Sequence, residues 1–548
     1  MEKKLKVTFE DGRCVAVDYK TEAIDAVRLV EEDVSDILAL IVNNEVKTYG
    51  YQLVTDSNIE FIRFESPEGY RIYSRTLKMI LYMALTSLYS NTDVEFISTI
   101  NRDQYFTISN IEVTPEKVKA IKEKMQEIID KNLPIVKKVV PLEEANVLYQ
   151  ASHNIDKLQN LSNKLRSYIA MYFCDGMYNY FYGEMAPSTG YIKLFDLVPY
   201  REGALLVIPD EDMNIHKELK DSRLYDTYIA FDKVNERIGI NNIGDLNEKI
   251  LQNKITEVIQ VSEAIHQREI VELVQDIERK QNVKMILIAG PSSSGKTTFA
   301  QKLGIQLRLT GYTPVTISMD NYFKERVDTP LGEDGKYNFE CVEALDSELF
   351  NTQMRDLIAG KTVELPEFDF KIGTKNYNGK YLTMKEKDIL IIEGIHALNP
   401  IISEFTPDEN KYKVYIAPIT TLNVDGYTKV SSSDTRLLRR MLRDYTTRGH
   451  SVEKTFDLWH NVKKGEEQYI FPFVNTADYI YNSSLIYEPS VMKTFAQPLL
   501  LQVDKTNMYY AEARRLYEYL NNLLPMETSQ IPVDSIIREF IGSGCFFR

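Results

Sequence analysis

The stretch Lys284–Leu303, KMILIAGPSSSGKTTFAQKL, decides how the chain folds and what it handles. Met285 to Ala289 is an apolar run short enough for a buried strand. Gly290, Pro291, Ser292, Ser293, Ser294 and Gly295 form a tight loop, and Lys296, Thr297 and Thr298 open a helix whose apolar face carries Phe299, Leu303 and Leu307. Together they spell G-x-x-x-x-G-K-[ST] with a strand before it and a helix after it, the context that the motif requires. Glycines let backbone N–H groups reach phosphate oxygens, and the helix N-terminus adds positive potential. In such a loop Lys296 reaches the β- and γ-phosphates of a nucleoside triphosphate, Thr297 can hold Mg²⁺ through its hydroxyl, and Thr298 continues the phosphate cradle.

Three later stretches narrow the use of such a loop. Val315–Met319 reads as a strand that ends at Asp320, a carboxylate at the crevice where α/β sheets bind ligands. There it is placed to take a proton from a substrate hydroxyl. Asp388 to Gly394, DILIIEG, is a second buried strand ending in an acid, and Glu393 is the candidate second group at the metal. In DTRLLRRMLRD, Asp434 to Asp444, the residues Arg436, Arg440 and Arg443 fall at i, i+4 and i+7. One helical face thus carries three guanidinium groups, suited to closing over a triphosphate and neutralising transition-state charge.

The bulk numbers agree with an enzyme of several domains. The chain has 548 residues, 44% of them hydrophobic, which fits roughly two to four domains. Lys and Arg total 65 against 80 Asp and Glu, a net charge of −15 that argues against a general affinity for nucleic acid. Cys14, Cys174, Cys341 and Cys545 lie far apart, with no metal-ligand spacing and no disulfide framework. No secretory leader and no run of about 18 apolar residues is present, so a cytoplasmic protein outside the membrane is expected.

Taken in order, residues 1–65 read as a small mixed α/β unit, with strands at Leu5–Phe9 and Cys14–Tyr19 around an Asp11-Gly12 turn. Residues 66–225 form a second α+β unit. Residues 226–282 read as a helical connector, with Asp245-Leu246-Asn247 capping a helix whose apolar positions include Ile250, Ile255, Val258, Val261 and Ile265. His266 in it has no assigned role. Residues 283–490 alternate strands and helices, which predicts an α/β domain with a parallel sheet covered on both faces. Residues 491–548 hold a helix over Ala511–Leu524 and a closing segment that docks on the domain.

The ordered set GPSSSGKTT, SMDNYF, YNFE…ALD, LPEFDF, ILIIEGIHAL and DTRLLRRMLRD resembles the uridine kinase family, within the wider uridine kinase and phosphoribulokinase group. The resemblance implies ATP and Mg²⁺ at Lys296 and Thr297, Glu393 assisting the metal, and Asp320 as the base for a nucleoside 5′-hydroxyl. It also makes Arg436, Arg440 and Arg443 lid arginines and places Tyr322 and the region from Tyr337 to Phe370 at the acceptor. Two departures touch specificity. Asn338-Phe339-Glu340 stands where the family has an N-F-D stretch that holds ribose hydroxyls. Phe368-Asp369-Phe370-Lys371-Ile372-Gly373 lacks the tyrosine and the histidine that read a pyrimidine. Losing hydrogen-bonding groups from such a site weakens discrimination by orders of magnitude. Transfer to a hydroxyl is therefore the expectation, with the base open.

The front half is similar to threonyl-tRNA synthetases. Residues 1–65 resemble the ubiquitin-like TGS module. The runs EKVKAIKEKMQEIIDKNL (Glu116–Leu133) and PSTGYIKLFDLVPYREGALL (Pro187–Leu206) resemble their editing domain. That domain uses an H-x-x-x-H pair, a Cys and a further His. Here the corresponding helix, Ser74 to Met79, has no histidine, Cys174 stands near the expected cysteine, and the segment from it through Pro187 has none. With His153 alone beside them, too few ligands remain for a metal centre, and Cys174 reads as a small buried hydrophobe. The combination resembles a bacterial group of two-part nucleoside kinases and implies a homo-oligomer. A phosphoribulokinase-like or other sugar kinase, and a tRNA- or ribosome-associated ATP-binding protein, are the competing readings.

Overall fold

The computed structural model describes residues 4–89, 92–100, 103–151, 155–162, 167–216, 223–332 and 335–546. Its centre is a five-stranded parallel sheet built from β1 (Met285–Ala289), β2 (Thr313–Ser318), β3 (Asp388–Glu393), β4 (Lys411–Ala417) and β5 (Tyr479–Asn482). Their order is β2-β3-β1-β4-β5. Ile288 and Ser318 both lie in register with Glu393, so the three strands end at one edge. Alternating residues split between two cores. Ile286, Ile288, Ile389 and Ile391 pack with Phe299, Leu303, Ile270 and Leu273 on one face, whereas Leu287, Leu390 and Ile392 pack with Phe350, Met354 and Leu357 on the other. A parallel sheet buried on both faces is what its near-continuous Ile/Leu runs require.

The expected helix at Ser347–Ile358 forms over those residues, capped by Asp346, whose carboxylate accepts from the Leu349 N–H at 3.2 Å. The strand expected at Val315–Met319 stops one residue earlier. Met319–Tyr322 instead makes a 3-10 turn in which the Asp320 N–H bonds the Ser318 hydroxyl. The fifth strand was not legible, since YIYN carries no periodicity longer than itself.

Three helices rather than one span the connector, the first being Arg223–Ile238. Ile243–Leu251 starts at Asn242, with Asp245 as its reciprocal capping partner, and Ile255–Lys280 follows. The longer helix buries Val258, Ile259, Ile270, Leu273, Val274 and Ile277 in the same core as β1, so it is a layer of the sheet domain. His266 lies inside it, buried, with Nε2 3.0 Å from the Ser484 carbonyl oxygen. Burial pushes its imidazole down to about 3.

The front half holds three sheets. Residues 4–62 form a mixed five-stranded sheet in which Lys4–Phe9 pairs parallel with Ser57–Ile62. A four-stranded antiparallel sheet and a three-stranded one follow. Helices Pro67–Leu88 and Pro115–Asp130, capped by the Ser66 and Thr114 hydroxyls, share a core with the four-stranded sheet. Cys174 is buried in that core, and burial pushes its thiol up to about 11. His153 lies outside the described residues. His216, a further histidine of this half, is exposed and sits 2.6 Å from Asp210. Among the described residues no cluster of three or more His, Cys, Asp or Glu is placed to hold a metal, and no helix is long and apolar enough to cross a membrane.

Candidate active site

The loop after β1 passes close beneath β4. A Cβ on Gly290 would lie 2.0 Å from the Ile416 carbonyl oxygen, so only glycine fits. Ser293 at φ 59 and Gly295 at φ 89 adopt left-handed backbone, which curls the loop into α1 (Lys296–Leu309). The Lys296 ammonium donates to the carbonyl oxygens of Gly290 at 3.0 Å and Pro291 at 3.2 Å. Burial lowers its pKa, opposed by the charges of Glu393 and Asp320.

Those two acids close the other side. Glu393, at the end of β3, is buried, and its carboxyl is pushed up to about 7 by burial first and by Asp320 second. Asp320 meets solvent along the cleft, yet enough protein surrounds it to raise its carboxyl, against the pull of Lys296, Arg448 and Arg443. Two carboxylates and the Thr297 hydroxyl beside one ammonium are a donor set of hard oxygens, which fits Mg²⁺ shared with phosphates.

The arginine-bearing helix is α2 (Ser432–Arg443). Its three expected arginines do different things. Arg436 is buried against Glu466 of α3 (Val452–Tyr469), with Nη2 2.8 Å from Oε2, and Glu466 also accepts from the loop N–H of Ser292 at 3.1 Å. Arg440 bonds the Ser292 hydroxyl at 3.0 Å and pairs with Asp444 at 3.3 Å. Arg443 is held loosely by Asp444, 3.7 Å away, and acts on Asp320. Sequence spacing did not single out Arg439. It has no exposed surface, pairs with Glu488 at 2.7 Å, and lies 3.4 Å from the carbonyl oxygens of Ser293 and Ser294. Arg448, on the following turn, also faces Asp320. Arg436 and Arg439 thus brace the loop from below, Arg440 bonds its Ser292 hydroxyl, and the charges of Arg448 and Arg443 act on Asp320.

The acceptor-side residues divide as well. Tyr322 is packed in the core with its hydroxyl on Gln353 at 2.7 Å, which corrects its placement at the acceptor. Tyr337 is exposed near Phe339. Glu340 packs on Gly465; burial raises its carboxyl, and Arg440 opposes the rise. Phe368 joins Phe323 and Phe370 in an aromatic cluster. At Gly373 the space a side chain would need is filled: a Cβ there would lie 2.8 Å from Arg326, whose guanidinium donates to the Phe370 carbonyl at 2.7 Å.

Residues 285–485 match the model of the Phosphoribulokinase / Uridine kinase family. A uridine kinase of Macrococcus caseolyticus is 34% identical over 197 residues, covering 36% of this chain and 86% of that protein. Uridine kinases of Staphylococcus haemolyticus, 30% identical over 200 residues, and Halobacterium salinarum, 29% over 194, cover 36% and 35% of this chain and 87% and 77% of their own length. A phosphate loop facing two strand-end acids, with this extent of matching sequence, shows that the chain belongs, through residues 285–485, to the phosphoribulokinase/uridine kinase family.

Proposed function

We propose that the protein is an ATP- and Mg²⁺-dependent kinase that transfers the γ-phosphoryl group to the 5′-hydroxyl of a nucleoside. The observation that carries this reading is the meeting of Lys296, Glu393 and Asp320 at one sheet edge. Asp320 takes the hydroxyl proton, and the raised position of its carboxyl makes it a better base than an ordinary surface aspartate. Residues 290–298 cradle the phosphates, and Lys296, Arg440, Arg443 and Arg448 spread positive charge around the transferred group. Thr297 and Glu393 hold Mg²⁺, which supplies further charge neutralisation. Arg436 contributes by fixing Glu466 and, through it, the loop.

On the acceptor side Glu340 receives ribose hydroxyls and Phe368 and Tyr337 line the base. The family members' naming as uridine kinases supports a nucleoside. Arg326, filling the space at Gly373, favours a second reading, a sugar kinase whose acceptor carries an anionic group. ATP consumption with Mg²⁺ against a panel of nucleosides, sugars and sugar phosphates tests both, with Lys296→Ala as the control. Turnover with a nucleoside that the control lacks supports the first, and turnover with sugar phosphates alone replaces it by the second.

For the rest of the chain we infer a TGS-like unit at 1–65, an editing-like unit without its metal at 66–225, a helical connector at 226–282, the kinase unit at 283–490 and a C-terminal segment at 491–548, assembled as a cytoplasmic homo-oligomer. The mixed sheet of residues 4–62 and the burial of Cys174 in the core of the second unit support the first two.

A further inference from the structure

The closing segment does more than dock. Ile531, Ile536 and Ile537 are buried in the core that contains α1, and Phe540 is buried as well. Lys302 of α1 holds Asp534 at 3.0 Å, and the Arg439 guanidinium lies 4.9 Å from the Phe540 ring centroid. Ile536 covers Gly295, 3.2 Å from where a Cβ would stand. These anchors set the one-turn helix Arg538–Ile541 against the phosphate loop. From it the Glu539 carboxylate reaches the start of α1, accepting from the Thr298 hydroxyl at 2.7 Å and the Thr298 N–H at 3.3 Å.

Thr298 belongs to the first turn of α1, where free backbone donors and the helix dipole gather an anion. A polyphosphate lying along the loop must run past these same donors. A carboxylate oxygen and a phosphate oxygen cannot share them, and two anions side by side in a partly buried site repel strongly. Glu539 is thus a fixed anion of the chain's own, seated where a bound donor needs positive groups.

We propose that Glu539 competes with the donor nucleotide for Thr298, so that the segment Ile531–Ile541 must withdraw its carboxylate before the triphosphate binds. The inference rests on the reading of residues 290–298 as the donor site. It makes the C-terminal segment a brake on donor binding, released by whatever lifts that single helical turn. The turn is short, it is followed by Gly542 in left-handed backbone, and Glu539 itself is only partly buried, so the carboxylate is free to leave without unpacking Ile537 or Phe540.

The test is calorimetric titration of the full chain with ADP, without acceptor, for wild type, Glu539→Gln and Glu539→Ala. Gln keeps the size and an acceptor oxygen but removes the charge, and Ala removes both. Both variants are expected to bind ADP at least tenfold more tightly, with Ala the tighter. Hydrogen exchange supplies a second readout: in wild type ADP should increase exchange over the turn 538–541, and unchanged exchange there with ADP bound counts against the proposal. Equal ADP affinity in all three proteins overturns the proposal while leaving the donor site standing. Weaker binding by the variants overturns it in the opposite sense, making Glu539 a residue that helps hold the donor. No binding by any of them overturns the donor-site reading and the proposal with it.

Discussion

Glu393 ends its strand and Asp320 stands two residues beyond the end of the neighbouring one; they look alike in sequence, yet their surroundings separate them. Asp320 meets solvent and feels the charges of three cationic side chains, Lys296, Arg448 and Arg443, whereas Glu393 is buried and feels Asp320 as a like charge. Asp320→Asn removes the base but not the cradle. It should lower kcat by about 10²- to 10⁴-fold and leave the KM for ATP within a few-fold, as steady-state kinetics with the identified acceptor will show. Glu393 carries a stability signature instead. Its carboxyl binds a proton up to about pH 7 in the folded chain and only to about 4.5 when unfolded. Between those values the folded state holds the extra proton, so stability falls as pH rises from 4.5 to 7 and the full cost stands above 7. Glu393→Gln should therefore stabilise the nucleotide-free protein by about 1–3 kcal/mol at pH 8 and by nothing at pH 4.5, while transfer is lost. Denaturant melts at the two pH values check it, and equal shifts at both would sink the account.

Among the elements, α2 shows what a sequence pattern can and cannot say. The helix was legible, its three arginines fall on it, and Glu393 at its strand end and the helix Ser347–Ile358 stand where they were read, while Asp320 stands in a turn two residues past its strand. What could not be read was which arginines face the cleft. That depends on partners far along the chain: Glu466 for Arg436, Glu488 for Arg439, Asp320 for Arg443. Tyr322 was misplaced for the same reason, because only Gln353, on another helix, shows that its hydroxyl already has a partner. Spacing fixes neighbours on one helix, and burial decides which helix lies opposite. The two kinds of arginine should separate in experiment. Arg439→Met leaves Glu488 buried without its cation and should destabilise the protein by about 3–5 kcal/mol, seen in thermal melts. Arg443→Ala, whose partner is loose, should leave the melt nearly unchanged and reduce kcat by roughly 10²- to 10³-fold. If Arg443→Ala melts early with normal turnover, the assignment of the two roles is reversed.

At the scale of the molecule, the two halves are joined by more than the connector. Between β4 and α2 the chain makes a hairpin, Asn423–Asp425 with Thr428–Lys429, that enters the front half. Its Gly426 carbonyl accepts from the Phe96 N–H at 2.9 Å, and the Gly426 N–H donates to Asp156 at 2.8 Å. Tyr427 is buried among Tyr82, Phe96 and Phe181, and its carbonyl accepts from the buried Lys78 ammonium at 2.8 Å. Lys78 lies on the helix Pro67–Leu88, so the inserted ring and this buried side chain join that helix to the hairpin. The same hairpin leads directly into α2, the helix that braces the phosphate loop. The hairpin thus ties the front half to α2 through backbone bonds as well as through one buried ring. Tyr427→Ala leaves a cavity at that junction, and truncating a buried aromatic costs about 3–5 kcal/mol. Because the loss falls on the contact between halves, scanning calorimetry of the full chain should change from one cooperative transition to two, the kinase half melting separately from the front. A single transition at the wild-type temperature would mean that Tyr427 adds little to the coupling, which then rests on the hairpin's backbone bonds and on ion pairs such as Arg71–Glu512.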